Sequence, residues 1–225
     1  MKKMLILSII CLMSNLLWSQ WEWQNPKPTG NPLNNLYFTD NNHGWIAGAN
    51  GTVLKTIDGG NTWDLCQTNT DKDLQEVIFR NSSDGLVVCN DGTILKTNDG
   101  GVSWINIETG LDRIYGLKTH LNHAWLLADS GKILHSPNFG YSWNIVYDDP
   151  NIQLNGISFV SEDHGWVIGR HLTNSPYRCV LLSTLDGGMS WYSDTLLFEW
   201  QVGKDVKFTN TQIGYLTTSW NSLYK

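Results

Sequence analysis

One eight-residue segment occurs four times in this chain, and its recurrence limits the possible folds more than any other feature. Three copies begin with Thr, contain Asp-Gly-Gly and end in Thr-Trp or Ser-Trp, and the fourth is a degraded version of the same pattern. The copies occupy residues 56–63, 97–104, 136–143 and 184–191. They recur about every 40 to 50 residues, which is the usual length of one blade in a β-propeller. We call these segments the turn octets.

A second marker repeats in the same register. Glycine, or alanine in one case, precedes a large aromatic or aliphatic residue at Gly44-Trp45, Gly85-Leu86, Ala124-Trp125, Gly165-Trp166 and Gly214-Tyr215. In the first unit, segments 36–39, 44–47, 52–56 and 62–66 have strand character and are bounded by Asn, Asp or Gly. A lone four-stranded meander cannot bury both faces, so such units must stack around a ring.

The repeats therefore predict an all-β chain, a β-propeller of four-stranded antiparallel blades. The composition agrees, because 12 Trp and 21 Gly with only 16 % charged residues suit tight turns and aromatic packing. We expect blades at about 36–67, 74–108, 113–147 and 154–197, and a fifth at 205–225. Residues 21–26 resemble an outer strand and could complete the fifth blade. Alternatively, and in our preferred interpretation, the fifth repeat is truncated before its octet.

The first 20 residues have the pattern of a secretory signal peptide. Lys2 and Lys3 precede an apolar run over residues 4–18. This pattern predicts a protein that is secreted, periplasmic or on the cell surface. No later stretch has the roughly 18 to 20 apolar residues of a membrane helix, so no membrane span is expected after cleavage. The net charge of -6 argues against nucleic acid as a partner.

The octets resemble the Asp-box, or bacterial-neuraminidase repeat, with its pattern Ser/Thr-x-Asp-x-Gly-x-Thr/Ser-Trp. We predict a structural role, in which the acidic side chain accepts backbone hydrogen bonds of its own turn, glycine takes a positive φ, and Trp packs sideways. The predicted structural residues are Thr56, Asp58, Gly60, Thr62, Trp63, Thr97, Asp99, Gly101, Ser103, Trp104, Ser136, Asn138, Gly140, Ser142, Trp143, Thr184, Asp186, Gly188, Ser190 and Trp191.

We predict no catalytic residue, metal ligand or cofactor in these repeats. One carboxylate per blade places the acids too far apart for paired acid/base chemistry, which needs carboxyl groups within about 5 to 10 Å. His43, His123 and His164 also recur one per unit and so point to different places around the ring. No Asp-x-Asp-x-Asp-Gly calcium loop is present.

The whole pattern resembles the photosystem II assembly and stability factor family. The resemblance rests on the Gly-Trp pairs, on Gly-Thr-Val/Ile-Leu-Lys-Thr at 51–56 and 92–97, and on Asp-Gly-Gly-x-Thr/Ser-Trp. It implies an exported, non-catalytic propeller that acts as a protein-interaction or assembly module. The family's binding surface is an arginine-rich patch, whereas this chain has four spread-out arginines, so we transfer no binding residues. The four are Arg80, Arg113, Arg170 and Arg178.

Two alternatives remain open, a fragment of an Asp-box glycoside hydrolase of the sialidase type and a carbohydrate-binding surface protein. The Arg-Ile-Pro motif typical of sialidases is absent, which argues against an enzyme. If a ligand site exists, an insertion in the fourth unit is the best candidate, and it contains Arg170, His171, Tyr177 and Arg178. We also expect the innermost strands to direct some of six charged residues into the central channel, and these candidates are Glu76, Arg80, Arg113, Lys118, Asp205 and Lys207.

Overall fold

The computed structural model describes residues 27–173, 178–199, 201–219 and 222–225. Within these ranges the chain forms five antiparallel sheets in sequence order. Sheet 1 contains β1 (Leu33–Phe38), β2 (Gly44–Gly48), β3 (Val53–Thr56) and β4 (Asp64–Cys66). Sheet 2 contains β5 (Leu74–Phe79), β6 (Gly85–Cys89), β7 (Thr93–Thr97) and β8 (Ile105–Glu108).

Sheet 3 contains β9 (Ile114–His120), β10 (His123–Ala128), β11 (Lys132–Ser136) and β12 (Asn144–Asp148), with a short 3-10 turn at Asp129–Gly131. Sheet 4 contains β13 (Ile152–Phe159), β14 (Gly165–His171), β15 (Arg178–Thr184) and β16 (Tyr192–Glu199). Sheet 5 contains β17 (Gly203–Phe208), β18 (Gly214–Thr218) and β19 (Leu223–Tyr224).

Each sheet is a simple meander in which every strand pairs with the next one along the chain. This arrangement confirms the predicted all-β class and its four-stranded antiparallel units. The first strand of sheet 1 begins at Leu33 rather than at the predicted residue 36. Residues 1–26, which hold the predicted signal peptide and the candidate closing strand, lie outside the described residues. Among the described residues, no helix has the length and apolar character to span a bilayer.

Consecutive sheets pack face to face, and strands between two sheets are apolar on both sides. In β6, Val87 packs towards sheet 1, whereas Leu86 and Val88 pack towards sheet 3. All five residues of β6 are buried for this reason. Strand β1, in the first sheet of the stack, instead alternates between exposed and half-buried positions. The core is therefore a series of interfaces between neighbouring sheets rather than one central cluster.

The Gly-Trp marker builds these interfaces. The ring of Trp45 stacks on Phe79 of the next sheet at 3.6 Å between centroids, Trp125 stacks on Phe159 at 3.6 Å, and Trp166 stacks on Phe208 at 3.7 Å. Two of these indoles also donate a hydrogen bond to an octet carbonyl of the next sheet. The marker therefore identifies the residue that joins each sheet to its successor.

The glycine of the marker is required because a phenylalanine ring lies directly over it. A Cβ at Gly85 would lie 2.3 Å from the Phe79 ring, and one at Gly165 would lie 2.4 Å from the Phe159 ring. In sheet 3 the residue opposite the marker is Thr119. No phenylalanine covers that position, so Ala124 is accommodated there.

Candidate functional site

The four octets form the turns between the third and fourth strands of sheets 1 to 4, and each is held by its own side chains. In the second octet, one carboxylate oxygen of Asp99 accepts hydrogen bonds from Ser103 N at 2.9 Å and Thr97 Oγ1 at 2.7 Å. The other oxygen accepts a hydrogen bond from the Ser103 hydroxyl. Thr97 Oγ1 in turn accepts a hydrogen bond from Gly101 N at 2.9 Å. A single carboxylate thus closes the turn from both sides.

The same bonds recur around Asp58 and Asp186, and Asn138 reproduces them without a charge. Asn138 Oδ1 accepts from Ser142 N and from the Ser136 hydroxyl, both at 2.9 Å, and its amide donates to Ser142 Oγ at 2.9 Å. Because an amide can substitute for the carboxylate, the turn needs hydrogen-bonding capacity and not acidity.

Hydrogen bonding holds the octet carboxylates in their ionised form. The Thr62 backbone N–H, followed by its hydroxyl, lowers the pKa of Asp58 to about 2. The Ser190 hydroxyl, followed by its N–H, lowers the pKa of Asp186 to about 2. Burial alone would raise the pKa of Asp99, but the Ser103 hydroxyl and N–H outweigh it and lower the pKa to about 2. Such carboxylates are poor proton donors at neutral pH.

The octets all lie at one end of the sheets. A backbone hydrogen bond ties each octet to the turn between the first two strands of its own sheet: Gly59 N to Asn42 O, Gly100 N to Ser83 O, Phe139 N to Asn122 O, and Gly187 N to Asp163 O. The indole N–H of Trp45 reaches Gly100 O in the next sheet, and that of Trp125 reaches Gly187 O. We call this side of the molecule the octet end.

The third octet differs from the others because its interface is built differently. Leu86 stands in sheet 2 where the markers of sheets 1, 3 and 4 have Trp, and Phe139 stands in the octet where the others have Gly. The Phe139 backbone has φ 52°, and its ring is buried. Lys96 Nζ lies 5.1 Å from the centroid of the Phe139 ring and 4.1 Å from that of Tyr141. A buried lysine against two rings thus replaces the stacked indole.

Lys96 was missed by the sequence analysis, although a signal was present. The third octet contains two aromatic residues, Phe139 and Tyr141, that the other octets lack. It belongs to the repeat after Leu86, the marker residue that is aliphatic. The aliphatic residue in the marker and the two aromatic residues in the octet compensate each other across one interface. The octet that looks degraded in sequence therefore packs in a different way at the same place.

The innermost strands line a polar channel, as expected for several of the charged residues. A cavity of about 270 Å³ is bordered by Glu76, Lys118, Asp205 and Lys207. Glu76 accepts a hydrogen bond from Leu117 N at 3.0 Å, and burial raises the pKa of this carboxyl group. Burial, and then the charge of Lys207, lowers the pKa of Lys118. Two acidic and two basic side chains therefore border the same cavity.

The two remaining arginines of that prediction lie elsewhere. Arg113 borders a neighbouring cavity of about 280 Å³, which also contacts Glu76. Arg80 does not face the channel. It lies at the octet end, where it forms an ion pair with Asp84 at 3.0 Å and stacks 4.7 Å from the centre of the Phe139 ring. The position of Arg80 at the last residue before a turn explains why it points away from the channel.

The predicted ligand insertion is only partly described. Arg170 and His171 end β14, and Arg178 begins β15, while Tyr177 lies outside the described residues. Arg170 Nε donates a hydrogen bond to the Gln153 side chain at 2.9 Å, so this guanidinium is anchored to β13. The role of these four residues in ligand binding remains a prediction.

The recurring histidines lie in separate sheets and bind local partners. His43 Nδ1 contacts Asp40 at 2.9 Å, and His164 Nδ1 contacts Ser161 Oγ at 3.1 Å. His123 Nδ1 shares a hydrogen bond with His135 Nε2 at 2.8 Å. No group of three or more His, Cys, Asp or Glu side chains in the described part of the chain is arranged to hold a metal ion.

Comparison with known proteins adds sequence and fold relatives. The profile of the family described as photosynthesis system II assembly factor YCF48 matches residues 13–108 and 63–156. The photosystem II assembly lipoprotein Ycf48 of Prochlorococcus marinus is 46 % identical over 46 residues, which are 20 % of this chain and 13 % of that protein. The aligned stretch therefore represents a small part of the relative's length.

Solved structures share the fold at low sequence identity. A structure of YCF48 bound to D1 peptide has a TM-score of 0.50 and 19 % identity, and the alignment covers 87 % of this chain and 93 % of that one. The GH74 enzyme of Niastella koreensis has a TM-score of 0.66 and 14 % identity, over 82 % of this chain and 34 % of the enzyme. At these identities the similarities show a common propeller architecture.

Proposed function

Because the chain belongs to the family of the photosynthesis system II assembly factor YCF48, we propose that it is an exported, non-catalytic propeller that binds another protein. The observation that carries this proposal is the family match, which extends over residues 13–156 and so includes three of the four octets. The partner is a protein segment, and the task is to hold or assemble that partner rather than to transform a substrate.

The octet chemistry supports a binding role. The carboxylates that recur in every intact repeat accept hydrogen bonds from groups of their own turns. They are therefore structural parts of the scaffold. In a propeller of this kind, recognition falls to the channel and to the exposed turns.

The solved YCF48 structure contains D1 peptide, and we propose a peptide segment as the ligand class of this chain too. The test is calorimetric titration of the purified protein with the D1 peptide and with a scrambled peptide of the same composition. We expect saturable binding of the D1 peptide alone. Equal binding of both peptides, or of neither, would contradict recognition of this segment.

The likeness to a GH74 enzyme supports carbohydrate binding or hydrolysis as a second candidate function. Incubation with xyloglucan and with sialyllactose, followed by a reducing-sugar and a free-sialic-acid assay, tests it. We expect no release above a heat-denatured control. Release that disappears in Glu76→Gln, which alters the buried carboxyl group of the channel, would establish an enzyme instead.

Export is the remaining part of the proposal and has its own test. Expression of the full chain in a bacterial host, followed by mass determination of the purified protein, reports whether residues 1–20 are removed. We expect a mature amino terminus at Gln20 or Trp21 in the periplasmic fraction. An intact Met1 in a cytoplasmic fraction would contradict export.

A further inference from the structure

The octet end carries large apolar side chains that the fold leaves in solvent. They occupy the two variable positions of the octets, next to the turn residues, and are Ile57 at 62 %, Val102 at 75 %, Tyr141 at 56 %, Leu185 at 62 % and Met189 at 68 % exposed. Leu121, in a neighbouring turn, is 65 % exposed. We call these six residues the apolar tips.

The geometry of the turns places all the tips on one side of the molecule. Each octet is bonded to the first turn of its own sheet, so both kinds of turn share one end. Sheets 1 and 2 are joined at that end through Trp45 and Gly100, and sheets 3 and 4 through Trp125 and Gly187. Sheets 2 and 3 are joined there by Arg80, which donates to the Asn122 side chain. The tips therefore follow one rim.

The turn itself does not require apolar residues at these positions. In the first two octets the same positions hold Asn61 and Asn98, which are also exposed. The hydrogen bonds that close the turn come from the Thr, Asp and Ser/Thr positions. The turn therefore closes without the exposed apolar residue that every octet carries. A set of such residues on one face is typical of an interaction surface.

The same end carries a strong excess of negative charge. Exposed or half-buried acids there are Asp40, Asp58, Asp84, Asp99, Glu162, Asp163 and Asp186. Backbone N–H groups of Asn42 and His43 lower the pKa of Asp40 to about 2, and the octet acids are equally acidic. Arg80 is engaged by Asp84, Lys96 is buried, and Lys55 is half-buried near the ring of Trp45 at 5.8 Å.

The opposite end is acidic too, because its turns hold the exposed or half-buried Asp71, Asp73, Asp91, Asp112, Asp129 and Asp149. Some acids at that end are paired with lysine. Lys72 pairs with Asp91 at 2.8 Å, and Lys132 lies 3.8 Å from Asp148. The octet end differs because its acids lie beside the apolar tips, whereas the described turns at the opposite end expose Leu172 and no comparable row of large apolar side chains. A partner that complements it must be basic and must also present apolar side chains, because like charges across an interface are strongly unfavourable.

We propose that the octet end is a docking surface for a basic, amphipathic protein segment. Its acids attract the lysine or arginine side chains of the partner, and the apolar tips insert between its aliphatic side chains. This inference deepens the proposed function by naming a surface and a partner chemistry. A membrane is the less suitable occupant, because anionic lipid headgroups would meet the same negative charge.

The test uses a fluorescent synthetic helix of leucine and lysine as the probe, with a leucine and glutamate helix of equal length as its charge control. Binding to the purified protein is followed by anisotropy at low and high salt. We expect binding of the cationic helix only, with an affinity that falls at least tenfold at high salt. Equal binding of both helices would overturn the charge argument.

Two pairs of substitutions separate the tips from general electrostatics. The variant Val102→Ser with Met189→Ser should weaken binding of the cationic helix at least fivefold. The matched variant Leu172→Ser with Leu223→Ser, whose residues are 43 % and 68 % exposed away from the octet end, should bind like the wild type. Equal affinity of both variants would overturn the proposal.

Two further outcomes are decisive. Sedimentation with vesicles of phosphatidylcholine that depends on Val102 and Met189, without binding of the cationic helix, would assign the surface to lipid and overturn the proposal. Binding of the D1 peptide is measured in the same variants. Loss of cationic-helix binding with unchanged D1 binding would support the docking surface and leave the proposed function standing on a separate site.

Discussion

At the scale of single residues, the octets show that hydrogen-bond capacity decides which side chain can occupy the acidic position. Asp99 and Asn138 occupy equivalent places and make the same bonds to backbone and hydroxyl groups. They differ in charge, which affects pH dependence more than geometry, and in the direction of one further bond, since Asp99 accepts from the Ser103 hydroxyl whereas the Asn138 amide donates to Ser142 Oγ. The chain thus contains its own natural control for the role of the carboxylate.

Replacing Asp99 tests this interpretation. Asp99→Ala removes three accepted hydrogen bonds and should lower the free energy of unfolding by about 1 to 3 kcal/mol, whereas Asp99→Asn should lose less than about 1 kcal/mol. Because the folded-state pKa is about 2 and the ordinary value is 3.8, the carboxylate stabilises the fold above pH 3.8, and this contribution disappears as the pH falls towards 2. Urea titrations at pH 7 and pH 3 measure both effects. Equal losses in the two variants would contradict the hydrogen-bond argument.

The pair of histidines His123 and His135, on neighbouring strands of sheet 3, should make stability depend on pH. Burial, and then the neighbouring His123, lowers the pKa of His135 to about 4, from an ordinary value of 6.5. The folded state therefore disfavours the protonated ring, so the stability present above pH 6.5 is lost as the pH falls to about 4. Thermal melts from pH 7 to pH 4 should show a smaller loss in His135→Gln than in the wild type. Parallel curves for the two proteins would rule out this histidine as the titrating group.

At the scale of elements, each interface between sheets uses one large residue that crosses to the next sheet. Trp45, Trp125 and Trp166 do this by stacking on phenylalanine. Sheet 2 uses Lys96 against Phe139 and Tyr141 instead. The Lys96 side chain is 2 % exposed, and its ammonium nitrogen has no hydrogen-bond partner among the described residues. Burial lowers its pKa because the charge has lost water.

Substitution of Lys96 separates packing from charge. Lys96→Met keeps most of the volume and removes a buried charge, so we expect it to be as stable as the wild type or more stable. Lys96→Ala leaves a cavity and should cost about 2 to 4 kcal/mol. Chemical denaturation of the three proteins at pH 7 provides the comparison. A loss in Lys96→Met as large as that in Lys96→Ala would show that the contact of the ammonium with the two rings provides the stabilisation.

The repeat was enough to predict the class of the fold and the place of each turn, because octets and Gly-Trp pairs are local signals with fixed spacing. The partners of these residues in neighbouring sheets were harder to predict. Phe79 and Trp45 meet only after two units stack. A phenylalanine does recur six residues before the marker glycine, at positions 38, 79, 159 and 208, but this local spacing does not say which ring of the neighbouring unit it contacts. Arg80 is one of the candidates for the channel because it follows an inner strand, but its place directly after the last residue of β5 puts it at the octet end.

At the scale of the whole molecule, stability comes from a series of interfaces between neighbouring sheets. Sheet 5 contacts sheet 4 through Trp166, Phe208 and the cluster that includes Ile168 and Val206. Sheet 4 contacts sheet 3 through Trp125 and Phe159. In repeat architectures of this kind, the total stability is approximately a sum of unit and interface contributions. Weakening one interface should therefore affect some sheets more than others.

Two phenylalanine substitutions test this additivity by hydrogen exchange. Phe208→Ala removes the ring under Trp166 at the sheet 4/5 interface, so exchange should accelerate in β17 to β19, while sheets 1 to 3 keep their protection. Phe159→Ala removes a buried ring between sheets 3 and 4 and should cost about 3 to 5 kcal/mol, with faster exchange on both sides of that interface. Mass spectrometry of peptides after timed labelling resolves the two patterns. If Phe208→Ala accelerated exchange equally in all five sheets, the molecule would unfold as one cooperative unit. Coupling across each interface would then exceed the stability of any single sheet, and a sum of separate interfaces would be the wrong description.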